Sequence, residues 1–500
     1  MKVSDMRMIF VSVVCLFSIL PPEARVYATE RPNLLVILCD DLGWGDLACF
    51  GHPHIQTPNL DRLASQGIRL TSFYSAAPVC SPSRVGLLTG RNPNRAGIYD
   101  WIPAASQTNI ASKESRNLVH MRQSEVTLPR LLKQAGYATA MAGKWHCNSL
   151  FNSKQQPQPN DAGFDHWFAT QNNAGPSHRN PTNFVRNGQN VGKLDGYSCQ
   201  AVASEAIDWL SNNEKSNAST PFFLYIAFHE PHEPIASPPD LVAKYRTVAR
   251  NDDEAEFFAN VENMDASVGR LLIHLDTLGL AKNTFIVFSS DNGPETLNRY
   301  LSGNRSYGRP GPLRGMKLWT TDGGFRVAGI MRWPEKLSAS QIIDEPVSSL
   351  DLLPTFCKLA GAAVPANLML DGIDLNPLFK GNRLERTQPL FWFYYNSLNE
   401  QCAAMRDGQW KLLAKFENGQ LPKLTNITES TIEQVRNAKL TDFELYDLSQ
   451  DIGEATDLSQ RQPDQLNMLA TKMEALYRDV TSSMHVWPEK EVDLKNHNLK

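Results

Sequence analysis

The stretch PVCSPSRVGLLTGR, residues 78–91, sets a cysteine just ahead of a proline-started helix that stops at a glycine. Pro82 has a fixed φ and no N–H, which suits a first helical turn, and Gly90 suits the residue just past the end. Cys80 therefore falls at a helix N-terminus. There the aligned peptide dipoles and Arg84, one turn further on, make a positive field that favours an anion or a developing oxyanion. A packed structural cysteine satisfies the same local pattern.

Other candidate residues follow apolar runs. Asp40 and Asp41 follow NLLVILC (33–39), and Lys144 and His146 come shortly after YATAMA (137–142). His229 and His232 follow PFFLYIAF (221–228), while Asp291 and Asn292 follow NTFIVFSS (283–290). Ligands of open parallel sheets bind beyond the carboxyl ends of the strands, so these four clusters are expected to share one end of a sheet. Asp40, Asp41, Asp291 and Asn292 would repel one another there unless a cation sat between them. An all-oxygen set suits a hard ion, Ca²⁺ or Mg²⁺, over zinc. Each Asp taken singly is equally a turn residue or helix cap. Lys144, Lys317 and the histidines add positive charge and proton donors, the lining expected of a pocket for a tetrahedral oxyanion. Alone, either lysine reads as a solvated side chain, and His229 is as readily structural as functional.

The elements that must position these residues read as an α/β fold with a mostly parallel sheet sandwiched by helices. Apolar strand-like runs alternate with amphipathic ones over residues 32–362, the pattern of βαβ units, with a fifth strand expected in FRVAGIMRW (325–333). A long helix is expected in the run 257–279, ending at Gly279. After about residue 365 come short strands in 389–395, 403–416 and 443–449 and a helix near 463–479, which predicts a smaller C-terminal α+β subdomain with an antiparallel sheet. The polar stretch 145–200 is too long for a plain connection and reads as a functional rim. Trp101, His120, Trp167, His178 and Arg179 lie in irregular segments and are candidate contacts for a ring or a second anionic group, each equally explained by loop packing.

Composition bounds the rest. The chain has 500 residues and a formal net charge of -4, enough for a large core and without the basic excess of a nucleic-acid or anionic-membrane binder. Residues 1–28 read as a signal peptide: Lys2 and Arg7, an apolar run over 8–20, then Ala28 at the cleavage position. That apolar run is shorter than the ~20 residues of a membrane span. An exported chain with no membrane span after signal removal is therefore expected, periplasmic, secreted or lysosomal according to host. The eight cysteines lack the spacing of a zinc site or a dense disulfide framework, which leaves one or two disulfides open. Asn217, Asn304 and Asn426 begin glycosylation sequons.

CSPSR followed by LLTGR, together with NLLVILCDDLGWGDL, GKWH, FLYIAFHEPHEP and SSDNGP in that order, resembles the type I formylglycine-dependent sulfatases of the alkaline phosphatase superfamily. DDLGWGDL, YSAAPVCSPSR and GFDHWF resemble its arylsulfatase A and N-acetylgalactosamine-6-sulfatase branch. The resemblance implies a catalytic domain over 29–365 and a subdomain over 366–500. It implies that a formylglycine-generating enzyme oxidises Cys80 to Cα-formylglycine during export. It further implies that Asp40, Asp41, Cys80, Asp291 and Asn292 hold Ca²⁺, or Mg²⁺ in its place. Arg84 and Lys144 would hold the formylglycine, His146 would act as base, and His232 and Lys317 would bind sulfate and assist the leaving oxygen. The implied substrate is a sulfated sugar or an aryl sulfate. Departures from the family pattern include Cys147 and Asn148 after GKWH, expected to reshape the substrate rim, and Met316, Leu318, Asp322 and Ala328 around Lys317. Two rivals stay open: a formylglycine-dependent phosphate mono- or diester hydrolase, and an inactive protein that binds sulfated glycans.

Overall fold

A computed structural model describes residues 31–105, 119–217, 220–296, 303–417 and 427–488, so the expected signal peptide lies outside the described residues. Eleven strands form one large sheet. In chain order they are β1 (Asn33–Asp40), β2 (Ile68–Tyr74), β3 (Ala138–Lys144), β4 (His166–Thr170), β5 (Val185–Arg186), β6 (Gln189–Asn190), β7 (Phe222–Pro231), β8 (Thr284–Ser290), β9 (Arg326–Arg332), β10 (Gln341–Ile343) and β11 (Val347–Ser348). The spatial order is β10-β2-β9-β8-β1-β7-β3-β4-β5-β6, with β11 also on β2. β8, β1, β7, β3 and β4 run parallel to their neighbours in that row. β9 is antiparallel to both β8 and β2.

The physical cause lies in β1. All eight of its residues are buried, and they alternate between two cores: Leu34, Val36 and Leu38 enter one, Leu35, Ile37 and Cys39 the other. A strand covered on both faces reads as a continuous apolar run, which is why periodicity along the sequence does not alternate here. β7 repeats the arrangement, with Phe223 and Tyr225 on one side and Phe222, Leu224 and Ile226 on the other. Helices Ser198–Asn217 and Asp252–Thr277 cover one face, and Cys80–Thr89 and Leu352–Ala360 the other.

The C-terminal region adds an antiparallel four-stranded sheet, β12 (Leu390–Phe393), β13 (Ala403–Asp407), β14 (Trp410–Phe416) and β15 (Leu440–Asp447), and the helix Pro463–Ser482. The single run 403–416 is a hairpin turned at Gly408, whose φ is +59°. The fold class is thus as expected. The difference lies in 145–200, which contributes β4, β5 and β6 to the sheet rather than a bare rim. Those strands are short, so they carry little periodic signal. Among the described residues, the seven cysteines are all free thiols and no helix is long and apolar enough to cross a membrane.

Candidate active site at the strand ends

Register brings the polar clusters to one level. Cys39 in β1 is opposite Ser290 in β8, Asp40 opposite Pro231 in β7, and Gly143 in β3 opposite Ala227. Gly143 has a φ of +114°, and a Cβ there would stand 1.8 Å from the Ala227 carbonyl oxygen. Only glycine lets β3 approach β7 so closely, and Lys144 is the next residue. Asp41 leaves β1 with a φ of 64° and His146 leaves β3 with 51°, a left-handed conformation uncommon outside glycine and often found at functional sites.

The Cys80–Thr89 helix begins at Cys80 itself, two residues before Pro82, and ends at Gly90 with a φ of 65°. Every residue of it is buried. Arg84 crosses to the strand ends: its Nε donates to Asp291 Oδ2 at 2.9 Å and its Nη1 to the Lys144 carbonyl at 3.0 Å. Lys144 Nζ lies 2.5 Å from Asp40 Oδ2, and Lys317 Nζ 2.7 Å from Asp41 Oδ2. The Asp291 backbone N–H donates to the Cys39 carbonyl at 3.0 Å, and the Asp41 N–H to Asp291 Oδ1 at 3.2 Å. Asn292 Nδ2 donates to Asp41 Oδ1 at 2.7 Å. His232 Nε2 stands 3.7 Å from Asp41 Oδ2.

The site residues expected from the sequence thus lie in one buried cluster, with His146 beside it. His146 Nε2 donates to the Ile102 carbonyl at 2.9 Å, which assigns the lone pair to Nδ1. Nδ1 is buried and has no hydrogen-bond partner. Burial, then Lys144 and Arg84, hold the imidazole well below its usual range. Burial with Lys317 lowers His232 to about 4. Burial alone would raise Asp40, yet Lys144, His232, Arg84 and Lys317 together hold it well below the carboxylate range. For Asp291 burial prevails over Arg84 and lifts it to about 7. The Cys80 thiol is pushed up by burial despite Lys144 and Lys317, which suits a thiolate nucleophile poorly.

A metal ion fits this cluster. Asp40, Asp41, Cys80 and His232 each offer an atom, and these atoms lie within 4.8 Å of one another. Asp40 Oδ1 and Asn292 Oδ1 are buried without a hydrogen-bond partner, a costly state for carboxylate and amide oxygens that an ion would relieve. Three carboxylates (Asp40, Asp41, Asp291) here face three cations (Arg84, Lys144, Lys317). A divalent ion added to that balance leaves two positive charges in excess, a lining for an oxyanion.

Several candidates lie elsewhere. His229 is buried behind the cluster, its Nε2 2.7 Å from Thr170 Oγ1. Trp167 and His178 are buried, and His120 packs its ring on Trp487, so these are structural; Trp101 and Arg179 are exposed. Cys147 and Asn148 are also buried, bonded to the Trp145 and Pro157 carbonyls, and form no exposed rim. Asp322, at the start of the short helix Asp322–Phe325, binds Tyr74, Arg326 and Lys411 between the sheets, away from the cluster. The sequence did not reveal Tyr394, which packs on Cys80 and Val79, nor the Ile102 carbonyl that orients His146. A backbone acceptor leaves no mark on residue type, and Tyr394 reads simply as a β-strand aromatic.

The Sulfatase family model matches residues 32–362, and the C-terminal model of N-sulphoglucosamine sulphohydrolase matches residues 316–479. N-acetylgalactosamine-6-sulfatase of Canis lupus familiaris is 35% identical over 407 residues, covering 77% of this chain and 72% of that protein. Arylsulfatase A of Homo sapiens is 34% identical over 459 residues, covering 86% of this chain and 84% of its own length. The crystal structure of Ps i-CgsB in complex with k-i-k-neocarrahexaose matches with a TM-score of 0.74 and 28% identity, covering 90% of this chain and 93% of that one.

Proposed function

The chain belongs to the sulfatase family and is a sulfuric ester hydrolase, and from that premise we propose that it removes sulfate from a sulfated carbohydrate, and from aryl sulfates, at residue 80 after Cys80 is oxidised to formylglycine. The observation that carries this reading is the convergence of Asp40, Asp41, Lys144 and Lys317 on Cys80 in one buried, cation-compatible cluster.

When present, the aldehyde hydrate of residue 80 supplies an oxygen nucleophile whose second hydroxyl later allows sulfate to leave without water attacking sulfur, and a bound Ca²⁺ (or Mg²⁺) polarises the sulfate oxygens. The rest is done by this chain's side chains. Asp40, Asp41, Asp291 and Asn292 hold the cation. Lys144 and Arg84 hold residue 80 at the helix N-terminus, where the peptide dipoles add to their field. Lys317 and His232, beside Asp41, bind sulfate oxygens and assist the departing alkoxide. His146 accepts a proton at Nδ1, the nitrogen its bond to Ile102 leaves bare.

Residues 29–365 are read as the catalytic part and 366–500 as a subdomain that buttresses it. The N-terminal pattern supports export, with residues 1–28 as signal and a formylglycine-generating enzyme as the maturation partner.

The test is sulfate release from 4-nitrophenyl sulfate, with 4-nitrophenyl phosphate alongside, by Ca²⁺-loaded protein co-expressed with a formylglycine-generating enzyme. The expected outcome is sulfate ester turnover that disappears in Cys80→Ala, followed by activity on a panel of sulfated sugars. A preference for the phosphate ester, or turnover that survives Cys80→Ala, overturns the reading.

A further inference from the structure

Leu318 stands next to Lys317 with a φ of 68°, a left-handed backbone that is strained for an L-residue with a bulky side chain. Its backbone is clamped from two directions. The N–H donates to the Pro78 carbonyl at 2.8 Å, two residues before Cys80, and its carbonyl accepts from the Leu398 N–H at 3.0 Å. The side chain, only partly buried, packs on the group Val79, Cys80 and Tyr394. A non-glycine residue persists in such a conformation where the surroundings over-determine it, and such sites gather at ligand clamps.

Two more apolar residues stand on segments tied to the same place. Leu398 is 48% exposed, and Trp101 is 41% exposed. The residues flanking Trp101 are anchored to the site: the Ile102 N–H donates to Ser81 Oγ at 2.9 Å, and Asp100 accepts from Tyr394 Oη at 2.9 Å and Asn396 Nδ2 at 2.8 Å. Leu318 therefore gives the ionic cluster an apolar contact beside residue 80, with Leu398 and Trp101 on segments hydrogen-bonded to its surroundings.

We propose that Leu318, Leu398 and Trp101 form an apolar shelf that binds the leaving group of the sulfate ester, selecting a ring with an apolar face, the pyranose of a sulfated sugar or the ring of an aryl sulfate. This rests on the sulfatase reading above. The shelf contributes affinity for the alcohol portion alone, while sulfate itself is held by the charged cluster.

Leu318→Asn and Trp101→Ala test it with 4-nitrophenyl sulfate and N-acetylgalactosamine 6-sulfate as substrates and inorganic sulfate as competitive inhibitor. Asparagine tolerates a positive φ while removing the apolar contact. Each variant is expected to raise KM about tenfold, the loss of part of a buried side chain's contact, with kcat little changed. The inhibition constant of inorganic sulfate stays at the parent value. A rise for the aryl ester only would mark the shelf as serving aromatic groups, and a rise for both supports the pyranose as well. Leu318→Gly, which adopts this φ freely, is expected to keep the parent's thermal midpoint while showing the same rise in KM. Unchanged KM in both Leu318 variants and in Trp101→Ala, or sulfate inhibition weakening in step with KM, overturns the shelf alone. No turnover by the parent protein removes the sulfatase reading and the shelf with it.

Discussion

Among the buried ionic clusters of the described residues, one lies at the strand ends and another between the two sheets. In the second, Lys411 Nζ pairs with Asp322 Oδ1 and lies over the Phe325 ring at 4.5 Å, and Phe325 stacks on Trp392 at 4.2 Å. Asp322 Oδ2 accepts from Tyr74 Oη at 2.8 Å, and the Asp322 N–H donates to Glu454 Oε2 at 2.8 Å. Even Glu454 Oε1, which makes no hydrogen bond, lies 3.4 Å from the Lys411 ammonium. At the strand ends, by contrast, Asn292 Oδ1 and His146 Nδ1 are buried and unbonded, and Asp40 Oδ1 has only the Arg84 guanidinium at 3.8 Å. Burial and charge are alike in the two places. What separates them is satisfaction: one cluster is closed on itself as a clasp between sheets, and the other holds lone pairs in reserve for an ion and a proton.

The sharpest way to break this contrast is to exchange the effects. Asp40→Asn is expected to lower sulfate ester turnover by about 10³-fold, because it removes a carboxylate that would hold the cation, with a smaller loss of stability because Lys144 is left without its ion pair. Steady-state rates and calorimetry on one preparation check both halves. Lys411→Met is expected to do the reverse. It leaves Glu454 without its cation and Asp322 paired with Arg326 alone, and should cost about 3 kcal/mol of folding stability in urea titration, while the folded fraction keeps near-parental kcat. Equal losses of activity in the two variants would end the distinction.

Metal removal sharpens the comparison further. Ca²⁺ at a hundred times its dissociation constant should stabilise the parent by about 2.7 kcal/mol, read as a rise in thermal midpoint that a chelator reverses. Lys411→Met should show the same increment and Asp40→Asn a much smaller one. An equal increment in Asp40→Asn would move the ion elsewhere.

The smallest effect concerns pH at the clasp. Burial lifts Glu454 to about 7 against the pull of Lys411. A carboxyl whose folded value exceeds its unfolded one stabilises fully below the unfolded value of 4.5 and loses that contribution as pH rises through about 7. Stability should therefore fall between about pH 4.5 and 7 with a slope of at most about 1.4 kcal/mol per unit, and Glu454→Gln should flatten it. An unchanged slope in that variant would assign the titration to another group.

Legibility in the sequence followed the strength of the local signal. β1, β7 and β8 are continuous apolar runs, so they were readable as strands covered on both faces, and the polar residues directly after them were readable as neighbours. β2, IRLTSFY, and β4, HWFAT, were missed because their polar residues interrupt the run and their length falls near that of a loop. β9 was readable as a strand, but its antiparallel direction depends on how the chain returns from β8 to β9, which no residue in FRVAGIMRW encodes. The clasp was invisible for the same reason: Asp322, Lys411 and Glu454 are far apart in sequence and each is an ordinary charged residue by itself.

The sequence by itself determined which residue types follow each strand, the helix that starts at Cys80, and so the kind of chemistry the strand ends could support, because strand and helix signals are local and their ends follow from them. Only the tertiary structure decided that Gly143 lets β3 press against β7, that Leu318 takes a left-handed turn beside Cys80, and that one ionic cluster closes on itself while the other stays open. Those outcomes depend on contacts between segments remote in the chain, where packing and desolvation act on groups that local propensity cannot bring together.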